Sequence, residues 1–360
     1  KPPNLLRPSK RCKPVSMDRL FRNYATTRAL GFGALVLLCF GLTSCGEGGP
    51  EQTAVSVSSR VDSLEAAILE APNTPEPYHA RAQYQASQGN PQGAFEDWGL
   101  ALKADSTFAP AWENRVDMLY RMQNMEACLT ELNACTRFAP ESTPCLMRRA
   151  EFNIHLNQFE RAFDDLNQAL RIDDQLHEAY WMKGKIYAAN GDTEKAISSL
   201  QTAIEVNPSF FDGFISLGLF LAELGDPIAE EFYRSAIELR PFSVEAHYNL
   251  AMFLQEEQRL DEALDTYRTI LSLDSTNATA SFNQGYIHLE YYAQYDSAAY
   301  WFSEAIKRLP YYHQAFFNRG LARESMGDRS GAISDYSEAL RIKPDYTVAA
   351  LAKDRALKAN

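Results

Sequence analysis

Small, large and polar positions recur in this chain with a period of 34 residues, from about Thr74 to Asp345. One small slot holds Ala82, Val116, Ala150, Gly184, Gly218, Ala251, Gly285 and Gly320. A second, about twelve residues on, holds Ala94, Cys128, Ala162, Ala196, Ala229, Ala263, Ala298 and Ala332. Seven residues further comes a third, with Ala101, Cys135, Ala169, Ala203, Ala236, Ile270, Ala305 and Ala339. Large residues alternate with these at a fixed offset: Trp98, Leu132, Leu166, Leu200, Tyr233, Tyr267, Phe302 and Tyr336. A repeat of this length is one helix–turn–helix unit that cannot bury its apolar face alone, so its neighbours must cover it.

These positions resemble the tetratricopeptide repeat family. The match is fullest over 313–345, with Phe316, Arg319-Gly320, Gly327-Asp328, Ala332, Tyr336, Ala339-Leu340 and Pro344. The spacing predicts eight repeats, starting near Pro75, Ala109, Thr143, His177, Phe211, Val244, Ala278 and His313. The fifth lacks a residue in its turn, at Gly225–Pro227, and the seventh gains one near Tyr291–Tyr295. A loop between helices absorbs such changes at little cost.

The expected fold is all-α: a right-handed superhelical α-solenoid in which each unit contacts mainly its neighbours and the inner helices line a concave face. Pro140, Pro208, Pro241, Pro310 and Pro344 close second helices, because proline cannot continue one. A lone second helix is expected at 61–71, and a C-terminal capping helix at 348–358, with Ala350, Leu351 and Leu357 facing inward. The solenoid domain is expected to span 59–360.

The first 44 residues differ in kind. Residues 29–42 form a short apolar run behind Arg19, Arg22 and Arg28. Fourteen residues reach about 21 Å as a helix, short of the ~30 Å bilayer core. A basic start, a short apolar core and small residues before a cut site indicate a secretory signal peptide. Residues 1–16 precede Met17 and look like non-native upstream sequence. The segment Leu42-Thr43-Ser44-Cys45 resembles a bacterial lipoprotein signal. The resemblance implies that Cys45 becomes the lipidated mature N-terminus in the cell envelope. Gly46, in place of an inner-membrane retention aspartate, favours the outer membrane, facing the periplasm. Residues 45–58 are expected to be the lipid anchor and a flexible tether, of roughly 20 Å span over its small polar part.

Removing that segment sharpens the charge. Before Cys45 stand 8 of the 35 basic residues and 1 of the 47 acidic ones, which leaves 27 basic against 46 acidic. So acidic a surface argues against nucleic acid, whose affinity comes largely from Lys and Arg on phosphates. It also argues against a polybasic membrane contact, so the lipid would supply the attachment. Of the six cysteines, Cys12 and Cys39 leave with the signal. Cys128 and Cys135 lie about 10.5 Å apart along one helix, too far to bridge. Two readings of Cys135 stand open: a small buried stand-in for alanine, or a disulfide to Cys145 across the repeat junction.

No catalytic motif is present: neither a glycine-rich phosphate loop nor a His-Glu-x-x-His pair. The histidines are scattered, no metal site or cofactor is implied, and acidic pairs such as Asp164-Asp165 are expected to be solvated. The expected function is therefore non-catalytic protein binding. One inner slot holds His79, Glu113, Met147, Trp181, Ile215, Tyr248, Phe282 and Phe317. One turn on come Gln83, Asp117, Glu151, Lys185, Leu219, Met252, Tyr286 and Leu321. The N-terminal half is mostly polar and the C-terminal half apolar and aromatic. The expected partner groove is Trp181, Ile215, Leu219, Tyr248, Met252, Phe282, Tyr286, Phe317 and Leu321 in one stripe. Asn249, Asn283 and Asn318 beside it resemble the asparagine ladder that some repeats of this family use on peptide backbones. The family's carboxylate clamp is matched only by Asn114 and Arg148, with Pro144 at the supporting lysine position. By the same resemblance, such a scaffold is expected to serve envelope machine assembly, as in pilus or secretion systems. Self-association through the apolar half is the alternative to a separate partner, an enzyme is a remoter one, and the oligomeric state stays open.

Overall fold

The computed structural model describes residues 51–358, with side chains from Arg60 onward. The expectations for the signal peptide, Met17, Cys45 and the tether as far as residue 50 lie outside the described residues. Among these residues are eighteen α-helices and no strand. They divide into two compact units, one ending at Pro208 and one beginning at Ser209.

The N-terminal unit opens with α1 (Glu51–Glu70). Four helix pairs follow: α2 (Pro75–Ser87) and α3 (Pro91–Ala104), α4 (Ala109–Arg121) and α5 (Met125–Phe138), α6 (Thr143–His155) and α7 (Phe159–Ile172), α8 (His177–Ala189) and α9 (Thr193–Val206). The C-terminal unit has α10 (Phe211–Glu223) and α11 (Ala229–Leu239), α12 (Val244–Glu256) and α13 (Leu260–Leu273), α14 (Ala278–Glu290) and α15 (Tyr295–Arg308), α16 (His313–Ser325) and α17 (Arg329–Ile342), then α18 (Thr347–Lys358). Every expected repeat start is the first residue of a helix. Residues 51–58, read as tether, are the first two turns of α1. After Gly46, Gly48, Gly49 and Pro50 the chain has no glycine or proline until Pro72, so nothing there breaks a helix.

All the small and large slot residues of the repeat are buried. The glycines are there for space. A Cβ on Gly184 would lie 2.7 Å from Leu200, and one on Gly320 2.6 Å from the Tyr336 ring. The prolines act as expected: second helices end at Phe138, Val206, Leu239, Arg308 and Ile342, each two residues before a proline. The residue in between leaves helical geometry, since the residue before proline disfavours it. Six first turns are capped by a side chain accepting a backbone N–H three residues on: Asn90, Asn124, Ser142, Ser243, Asn277 and Asp328. Such a cap satisfies one of the orphan donors of a helix start.

Within each repeat the turn between helices uses one backbone device. Its left-handed residue is Gly89, Gln123, Asn157, Gly191, Gly225, Gln258, Ala293 or Gly327, with φ between 51° and 86°. A helix commonly ends on such a residue because its N–H then reaches back to the last carbonyls. The irregular fifth and seventh repeats keep it. Within each unit, first helices of successive repeats touch one another: α4 with α6, α6 with α8, α10 with α12, α14 with α16. That inner layer carries the candidate sites.

The capping helix differs from the expectation. Its buried face is Ala349, Ala352 and Ala356, while Ala350, Leu351 and Leu357 point outward. Alanine wins the contact because the helix sits close against α17, whose Arg329 donates to the carbonyls of Ala356 and Leu357.

Candidate binding grooves

Four repeats tie their two helices with an arginine and a carboxylate sixteen residues apart. Arg81 meets Asp97 at 2.7 Å through two nitrogens, and Arg149 meets Asp165 at 2.5 and 3.0 Å. Arg115 pairs with Glu131 and Arg319 with Asp335 in the same way. Such two-toothed bonds combine geometric specificity with charge. Asp165 is only 2% exposed and also accepts from Asn153, so half of the Asp164-Asp165 pair is not solvated. It stands one residue before the core slot of Leu166, on the side facing the first helix. The sequence signal was present as complementary charge at a fixed offset. At the junction of the sixth and seventh repeats a different device appears: Asn283 donates to the Tyr267 hydroxyl of the preceding helix at 3.0 Å, which in turn donates to Gln255 at 3.1 Å. Burial pushes the Tyr267 hydroxyl pKa upward, so it stays a proton donor.

In the C-terminal unit the inner helices present Leu219, Tyr248, Asn249, Met252, Phe282, Tyr286, Phe317, Asn318 and Leu321, all half-buried. Phe282 stacks on Tyr312 with ring centres 5.0 Å apart and tilts against Phe302. Phe317 meets Tyr336 and Tyr346, and Tyr286 meets Tyr291. Burial pushes the Tyr312 hydroxyl up to about 12. These rings hold one another at fixed angles with one side still reachable, so they form a rigid apolar lining.

Other expected groove residues have internal work. Ile215 is 2% exposed and packs inside the C-terminal unit. Trp181 belongs to the N-terminal unit and is covered, with the Lys185 ammonium 4.1 Å from its ring centre. Asn283 is buried on Tyr267, and Asn318 donates to the carbonyl of Gln314 at 3.0 Å. The asparagine ladder is therefore reduced to Asn249 as the member whose amide is not committed to those partners. Asparagines on a first helix can satisfy the helix's own carbonyls, and that competes with a ligand.

The N-terminal unit has a cavity of about 430 Å³ among its own first helices, between α4, α6 and α8. Glu113, Asp117, Glu151 and Glu178 stand around it, with Val116, Leu176 and Met182 among the apolar lining. Arg148 reaches across to Glu151 at 3.0 Å and Asp117 at 3.3 Å, its guanidinium 4.7 Å from the Tyr120 ring centre. Asn114 donates to the Pro110 carbonyl. Both residues that matched a carboxylate clamp are thus engaged internally. Beside the cavity, Cys135 of α5 and Cys145 of α6 form a disulfide with Cα atoms 6.3 Å apart. Cys128 is a buried free thiol whose pKa burial pushes up to about 11.

Residues 177–210 and 313–346 match one sequence profile described as a tetratricopeptide repeat, and 232–265 match another. The chain is a tetratricopeptide repeat protein. Among curated relatives, it is 26% identical over 225 residues to the BBSome complex member BBS4 of Bos taurus, covering 52% of this chain and 43% of that one. It is 33% identical over 91 residues to the type IV pilus assembly protein PilF of Pseudomonas aeruginosa, 25% of this chain and 36% of that one. One more distant match, 24% identical over 304 residues, is a human protein named as an O-mannosyl-transferase, of which the repeats cover 33% against 68% of this chain. The chain spans less than half the length of these relatives. Among solved structures, YrrB, titled a tetratricopeptide repeat protein with an unusual peptide-binding site, is 23% identical with a TM-score of 0.37, covering 62% of this chain and 97% of that one. Tetratricopeptide repeats generally serve as non-catalytic scaffolds for protein–protein interaction.

Proposed function

We propose that this chain is a non-catalytic scaffold, lipid-anchored through Cys45 in a bacterial envelope, that binds a segment of another protein along the inner helices of its C-terminal unit. One observation carries the reading. Tyr248, Met252, Phe282, Tyr286, Phe317 and Leu321 keep one side accessible at a fixed phase on α12, α14 and α16. A contiguous apolar patch of rigid side chains usually marks an interaction site. Asn249 beside it offers one acceptor and two donors to a peptide backbone. The lipobox at Leu42–Cys45 and the acidic remainder support an outer-membrane anchor whose only membrane contact is lipid. Among the described residues no helix is long and apolar enough to cross a membrane. Resemblance over 91 residues to a pilus assembly protein supports a role in building an envelope machine.

The test is direct. A partner cross-linked in intact envelopes and then purified should bind Tyr248→Ala/Phe282→Ala at least tenfold more weakly, since aromatic hot spots cost about 2 kcal/mol or more each on truncation. Unchanged affinity of the folded double variant sinks the groove. Labelled palmitate on wild type but not on Cys45→Ser checks the anchor. A second reading, self-association, is favoured by one feature: Val348, Leu351 and Leu357 lie exposed on α18. Light scattering of a fragment starting at Glu51 separates the two, because a dimer that Leu351→Glu dissolves would support the second.

A further inference from the structure

One junction in the N-terminal unit is held by a covalent bond where its counterparts are held by packing. Where a second helix meets the next first helix, two small slots come together, filled by pairs such as Ala101 with Ala111 or Ala305 with Ala315. Ile270 with Ala280 is the largest of these pairs, and there one slot still holds only a methyl group. Between α5 and α6 the slots hold Cys135 and Cys145, 0% and 1% exposed and joined to each other. The alanine pairs make the same crossing without sulfur, so the fold does not need the bond. We propose that it is a redox switch: as a disulfide it keeps the second and third repeats closely packed, and its reduction by a dithiol loosens their junction.

The packing gives the direction of the change. A bond brings two sulfurs inside contact distance, whereas two thiols carry a hydrogen each and must stand apart. Reduction therefore puts two unjoined side chains end to end in slots that elsewhere hold at most one. Both are buried, with no solvent-facing side to turn to, and a close-packed interior transmits such added bulk to its surroundings. Here it falls on the spacing of α5 and α6. The polar ties beside the disulfide lie across that spacing. Arg149 of α6 donates to Thr136 and Asn133 of α5 at 2.5 and 3.3 Å. Ser142 caps α6 by accepting from the Cys145 N–H at 3.2 Å, and donates to Glu113 of α4 at 2.8 Å. A shift of about 1 Å takes such bonds past hydrogen-bonding range or close to its limit. The exchange itself balances. A dithiol's thiolate attacks one sulfur, its second thiol resolves the mixed disulfide, and two electrons and two protons pass to the cysteines as the dithiol closes its own ring. Cys128, in the same core cluster, is a free thiol with 0% exposure. Burial pushes its pKa up to about 11, so it is inert until the junction opens and can report the opening.

The test uses the full chain with and without dithiothreitol, read by peptide-resolved amide exchange and by alkylation of Cys128. Thiols counted after denaturation show whether Cys135 and Cys145 were reduced in the folded protein. Reduced wild type should exchange at least tenfold faster in α5 and the first turn of α6, with Cys128 alkylated at least tenfold faster. Helices α12 to α16 should keep their rates. Cys135→Ala/Cys145→Ala, which copies the alanine junctions, should stay slow with or without dithiothreitol. Cys145→Ala alone, which leaves one slot filled beside a methyl group, should also stay slow. Unchanged rates in reduced wild type overturn the proposal, and so does a pair that resists reduction while the chain is folded. If both alanine variants exchange as fast as reduced wild type, the bond is a staple and the switch is refuted. A uniform rise across both units refutes it too, since that is unfolding of the whole chain.

Discussion

Ala293 stands where four repeats place glycine, with φ of 51°. A left-handed residue with a Cβ costs roughly 1 kcal/mol, and glycine avoids most of it. A Cβ at the equivalent glycines meets nothing within 4 Å, so the cost is in the backbone alone. Ala293→Gly should therefore raise stability by about 0.5–1 kcal/mol, seen as a higher urea midpoint with unchanged slope. Arg149→Ala should act in the opposite sense. It leaves the carboxylate of Asp165, 2% exposed, with Asn153 as its remaining side-chain donor. Removing one partner of a buried pair costs about 3–5 kcal/mol, and the partly exposed arginine places the expected loss near the lower figure. Denaturant unfolding of the single variant checks it, and a loss below about 1 kcal/mol would show that water solvates the site.

At the scale of helices, most of the architecture was legible in the residues. Starts, ends and core slots follow from small-residue spacing and proline, which act locally and repeat eight times. What escaped depended on neighbours. Leu351 and Leu357 looked like the inner face of α18, yet closeness to α17 selected Ala349, Ala352 and Ala356. Trp181 and Ile215 sit at groove phase but were covered, and Asn283 was claimed by a tyrosine hydroxyl from the preceding helix. Phase along one helix says which way a residue points, not what arrives to cover it. The docking of α18 carries a further consequence. Glu324 on α16 accepts from Arg355 of α18 at 2.7 and 3.0 Å and from the Tyr336 hydroxyl of α17 at 2.6 Å. The Arg355 bond and then the tyrosine hold its carboxyl below the ordinary 4.5. A depressed carboxylate contributes stability above its unfolded pKa and loses it as pH falls through the folded one. Amide protection in α18 should thus drop as pH falls below about 4.5, and Glu324→Gln should flatten that dependence.

For the molecule as a whole, stability in a repeat array is close to a sum over units and the junctions between neighbours. Damage should stay near its origin within a unit. A single covalent bond interrupts this additivity. Cys135 and Cys145 close a ten-residue segment across the junction of α5 and α6. Under tension applied between the ends of the described chain, every other residue can be drawn out, at about 3.3–3.6 Å each. The closed segment is withheld and contributes only the 6.3 Å between its Cα atoms. Adding a reductant to a molecule held in an optical trap should release about 30 Å of extra contour length. For a protein proposed to be tethered to a membrane and pulled by its partner, that loop is a shackle that keeps the second and third repeats together after their helices have let go.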